Sequence, residues 1–141
     1  MWLSLIIGII VTVIFSAIYA MSDAYKTQLN RCLLIPYPLP KGKRTVIRFL
    51  FITLIWALVC YAAKFNGPSI LLVYFTILMS FYLPFDIIYN LTDDRKWDSL
   101  GSTSKSDVVL NSLFGDKDGL FAFTFELVLF VGSIILLVVN N

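Results

Sequence analysis

Four apolar runs, at about 2–21, 45–63, 69–90 and 119–139, alternate with polar segments along the chain. Each is about 19 to 22 residues long, which at ~1.5 Å rise per residue makes a helix of roughly 28–33 Å, the thickness of a bilayer's hydrocarbon core. The pattern predicts an all-α, polytopic membrane protein, with four transmembrane helices in one membrane domain covering residues 1–141. The long polar segments 22–44 and 91–118 fall on one side and are expected to be cytoplasmic loops.

The breaks between runs have their own signals. Lys64-Phe-Asn-Gly-Pro68 is a short stop-and-start, so the second and third runs form an antiparallel hairpin. Residues 33–40, Leu-Leu-Ile-Pro-Tyr-Pro-Leu-Pro, favour an extended path across the helix ends, because proline removes N–H donors and fixes φ. Ser104 followed by Asp107 marks a helix start, and Val108, Val109, Leu110, Leu113 and Phe114 give it an apolar side before Gly115. A short interfacial helix at about 105–114 is therefore expected, with Trp97 at the same boundary.

Within the first run, Ser4, Gly8, Thr12, Ser16 and Ala20 recur every fourth residue. On a helix they form a ridge of small side chains that lets another backbone approach and lets hydroxyls bond across the contact, so we read a helix-packing face. Gly132 and Ser133 mark a smaller contact spot in the fourth run. Pro84 should kink the third helix and leave the Ser80 carbonyl open to an outside partner.

Composition agrees with the pattern. Charged residues make up 14% of the chain and mean hydropathy is +0.85, whereas a soluble domain is about a quarter charged. The placement of charge says more than its total. Nine of the eleven Lys and Arg residues lie in segments 22–44 and 91–118, with Lys41, Lys43 and Arg44 directly before the second run. Clustered cations resist translocation and meet anionic headgroups, so both termini are expected outside. No cation precedes Lys26, which favours a retained first helix over a cleaved signal peptide. The same placement explains the net charge of +2 without nucleic acid.

Three charges fall inside the runs: Arg48, Asp86 and Glu126. Counted from the hairpin turn, Arg48 comes level with residues 84–86, so an ion pair with Asp86 is expected, with Glu126 near enough to join an intramembrane polar cluster. Neutralisation would offset much of the ~2.5–3.5 kcal/mol cost of each charge in hydrocarbon. Snorkelling of Arg48 to the headgroups is the competing reading.

Candidate chemistry is sparse. There is no P-loop, Gly-x-Ser-x-Gly, His-Glu-x-x-His or Cys-x-x-Cys, and no histidine. No catalytic, cofactor-binding or metal-binding residue is assigned, and no enzyme is expected. Cys32 and Cys60 fall at opposite ends of the expected topology and should not pair. Asn90-Leu-Thr92 matches the glycosylation triplet by chance, since it borders the cytoplasmic face.

Leu100-Gly-Ser-Thr-Ser-Lys-Ser-Asp107, following Trp97, resembles short elements in uncharacterised small multi-pass membrane proteins of bacteriophages and prophages. The resemblance covers eight residues. It implies a viral or mobile-element membrane protein, such as one of a lipid-containing virion, and transfers no functional residue. The expected function is a structural, assembly or accessory subunit of a larger membrane complex, whose partners are lipids, other membrane proteins or copies of itself. The alternative is an oligomeric proton or ion channel, or a transporter component, using Arg48, Asp86 and Glu126; a hole-forming lysis protein is a variant of it.

Overall fold

The computed structural model describes residues 2–33, 41–94 and 120–140, except the side chains of residues 41–44, 121 and 122. These residues form four helices: α1 (Trp2–Cys32), α2 (Lys41–Ala63), α3 (Pro68–Thr92) and α4 (Leu120–Asn140). Each contains a stretch long and apolar enough to cross a membrane. The expected helix at 105–114, Trp97, the phage-like stretch at 100–107 and most of the proline-rich stretch lie outside the described residues.

The helices differ from the apolar runs mainly at one end of α1. That helix has 31 residues, or about 46 Å, and continues for three turns past residue 21, where the apolar run stops. Segment 22–32 is therefore helix rather than loop. The cause is visible in the burial: the small-residue face does not end at Ala20 but goes on through Asp23, Ala24 and Thr27, all buried. α2 likewise starts at Lys41, so Lys41, Lys43 and Arg44 form its first turn.

The α2–α3 connection is as short as its sequence requires. Gly67 has φ of 55°, a left-handed value that glycine adopts without steric cost. Pro68 opens α3 at a position where its missing N–H leaves no helical bond unmade. Lys64, also at φ 55°, closes the other side of the turn.

α3 is the central helix and packs on all three others. Its longest contact is with α1. Successive α1–α3 bonds join residues 16 to 81, 27 to 89, 28 to 92 and 31 to 93, a near-constant offset, so the two helices run parallel. α2 fits antiparallel against both, with Phe15 stacked on Phe51 at 3.6 Å and Trp56 edge-on to Tyr74. Among the described residues α4 rests on α3 and on neither of the other helices, and 11% of its span Phe123–Asn140 is buried.

The core lies where α1, α2 and α3 meet. Ile52, Val73, Ile77 and Phe81 are wholly inaccessible. Along α3, Phe81, Phe85 and Tyr89 recur every fourth residue and stack ring to ring at 5.6 and 5.9 Å. The outside is just as apolar: Leu3, Ile18, Leu50, Leu71, Val128 and Val139 are all more than half exposed. So large an apolar exterior suits hydrocarbon and not water.

Gly8, Thr12, Ser16 and Ala20 are buried, and Ser4 at the edge is half-buried. Gly8 shows why the ridge is small. A methyl group added there would collide with Val59 and press on Ile77 at 3.3 Å. Gly8→Val should therefore lower stability by about 1–3 kcal/mol through overpacking, measured as unfolding in detergent. Leu3→Val, on the exposed face, should leave it within about 0.5 kcal/mol.

Candidate functional site: a polar seam between the first and third helices

The polar side chains inside this bundle follow one line, the contact of α1 with α3, and one branch to α4. At its middle Ser16 donates to the Phe81 carbonyl at 2.6 Å. Pro84 lies three residues beyond and has no N–H to give the Ser80 carbonyl, its i−4 partner. Phe81, whose carbonyl Ser16 engages, belongs to the stripe 81–85–89, and its own helical donor is Phe85 rather than the proline. Ser80 donates its hydroxyl to the Thr76 carbonyl at 2.6 Å. α3 remains helical through Pro84.

Thr76 carries the branch. Its hydroxyl donates to Leu72 and lies 2.9 Å from the Ser133 hydroxyl of α4. Ser133 is itself bonded to the Phe130 carbonyl. The Gly132–Ser133 spot is thus half used: Ser133 is 5% exposed against α3, while a Cβ on Gly132 would meet nothing within 4 Å.

Toward the cation-rich end the seam becomes charged. Arg48 of α2 donates from Nη2 to Asp23 Oδ2 at 3.1 Å, with the two side chains 17% and 12% exposed. The guanidinium carbon also lies 4.1 Å from the Phe85 ring centre and 5.0 Å from that of Tyr19, cation–π contacts that strengthen as water is excluded. One turn further, Thr27 meets the Tyr89 hydroxyl at 3.1 Å. Gln28 then donates to the Thr92 carbonyl at 2.6 Å, satisfying an orphan acceptor at the end of α3. Arg31 closes the line on Asp93 at 2.9 Å.

The sequence had assigned Arg48 to Asp86. The contact with Asp23 was missed because that residue was counted as loop. The signal was present: Asp23 follows Ala20 by three and precedes Thr27 by four, on the face that Ser4 to Ala20 define. Asp86 is exposed and Glu126 half-buried. Asn90, in the glycosylation triplet, is 6% exposed within α3.

Cys32 and Cys60 are both free. Among the described residues no group of three metal-ligating side chains comes together. Comparison of the chain with protein-family models, with curated proteins and with solved structures finds no match.

The two ion pairs should differ in weight. Arg48→Leu leaves the Asp23 carboxylate buried without its cation and should cost about 3–5 kcal/mol, with Asp23→Leu/Arg48→Leu recovering much of the loss. Arg31 is 53% exposed but its partner Asp93 is 0% exposed, so Arg31→Ala strips the cation from a buried carboxylate and should cost about 1–3 kcal/mol, less than Arg48→Leu because water reaches the arginine side of the pair. A double-mutant cycle in detergent measures both; an Arg48 effect no larger than that of Arg31 would contradict the assignment.

Proposed function

We propose that this chain is a multi-pass membrane protein serving as a structural, assembly or accessory subunit of a larger membrane complex. The observation that supports this best is how the interior polar groups are used. The hydroxyls of Thr12, Ser16, Thr76, Ser80 and Ser133 are all bonded to backbone carbonyls or to each other. Groups so committed hold helices together; they are not arranged around a space where a substrate or ion would sit.

What remains is surface. Among the described residues α4 has one neighbouring helix, an open notch at Gly132 and exposed Phe125, Leu129 and Leu136 at helical spacing on either side of it. Small residues let a second membrane helix come close, so this face is where a partner or another copy would bind. In the same reading the cation-rich end lies in the cytoplasm and both termini lie outside.

A proton or ion path remains the second reading, supported by the presence of Arg48, Asp86 and Glu126 within the apolar runs. Charged groups inside spans often mark such paths. Two measurements separate the readings. Purification from native membrane should bring down other membrane proteins in fixed ratio, and Gly132→Phe should reduce their recovery severalfold without unfolding the chain. Liposomes carrying the pure protein and a pH-sensitive dye should stay silent; proton flux abolished by Glu126→Gln would establish the second reading instead.

A further inference from the structure

At the hairpin end of the bundle, Trp56, Gly67, Ile70, Leu71 and Tyr74 line a shallow, largely open groove of about 400 Å³, almost wholly apolar. The indole N–H of Trp56 donates to the Ile70 carbonyl at 3.0 Å, and Tyr74 packs edge-on against the indole at 5.5 Å. The polar edge of Trp56 is thereby satisfied within the protein, and the groove presents carbon to whatever enters it. Gly67, part of that lining, belongs to the same four-residue turn as Lys64, whose side chain is exposed. Among the described residues Lys64 is the one Lys or Arg at this end of the bundle.

We propose that this groove holds one acyl chain of a phospholipid whose phosphate is bound by Lys64. The dimensions agree. Trp56 lies eight residues before Lys64 on α2, about 12 Å along the axis, so a chain entering beside the turn runs down the groove to the level of the indole. The chemistry agrees as well. A lysine ammonium is a point charge suited to phosphate, and Trp and Tyr concentrate where hydrocarbon meets headgroups. The Tyr74 hydroxyl is the one side-chain polar group of the lining besides the engaged indole N–H, so the rest of the lining suits an acyl chain and the cation of the turn suits its headgroup.

Native mass spectrometry from detergent tests this with dioleoylphosphatidylcholine and dioleoylglycerol, which share acyl chains and differ in the phosphate headgroup. The wild-type chain should retain the phospholipid about tenfold more than the diacylglycerol, the value of one charge-assisted contact. Lys64→Asn, chosen because asparagine tolerates a left-handed φ, should abolish that difference, with Lys64→Gln as a second neutral variant and Lys64→Arg preserving it. Leu71→Trp should lower retention of both lipids by filling the groove. Equal phospholipid retention by wild type and a folded neutral variant overturns the proposal. So does full retention by Leu71→Trp, or displacement of the lipid by inorganic phosphate alone.

Discussion

In hydrocarbon no water is at hand to satisfy a hydroxyl, a carbonyl or a charge, and this one constraint orders the interior. Each polar side chain on the α1–α3 seam has a partner chosen for it by helix geometry. Thr12 turns back to Gly8, Ser16 crosses to Phe81, and Thr76 meets Ser133. Pro84 falls beside the same contact. A proline in mid-helix removes the N–H that would bond the carbonyl four residues back, here that of Ser80. Ser16 engages the next carbonyl, that of Phe81, so the small-residue face of α1 packs on the turn before the proline.

Charge is graded along the seam in the way its energetics require. Arg48 is the more enclosed of the two arginines, 17% exposed against 53% for Arg31, with two aromatic rings around its guanidinium. Arg31 and Asp93 lie at the helix ends, where water reaches the arginine although the carboxylate is buried. Burial raises the desolvation cost of an ion faster than pairing alone repays it, so the enclosed guanidinium needs the extra contacts and the exposed one does not. Arg31 is in addition a cation in the last turn of α1, where the helix dipole favours it.

Much of this was legible in the amino acids. The four helices follow from run length, because only a helix satisfies its own backbone over some 20 apolar residues. The buried face of α1 follows from the four-residue period of Ser4 to Ala20. The contact of Arg48 with Asp23 did not follow, since hydropathy marks where the chain enters polar surroundings and not where a helix ends. Asp23 is two residues beyond the apolar run yet in phase with the face before it, and the period was the better guide. That Ser16 reaches the Phe81 carbonyl depends on the rotation of α3 about its axis, which no linear pattern encodes.

The same accounting separates what in this protein is fixed from what is adaptable. α1, α2 and α3 are joined by stacked rings, an enclosed ion pair and bonds at successive levels, so changing their arrangement would expose several polar groups at once. α4 is held to α3 by the Thr76–Ser133 bond and by packing at Leu137, with its remaining faces apolar and exposed. Between apolar helices in lipid there is no hydrophobic gain on association, and packing plus a few polar contacts decide who binds whom. Among the described residues α4 therefore adds to the three-helix core along one face, and the open notch at Gly132 leaves room on another for a backbone to come close.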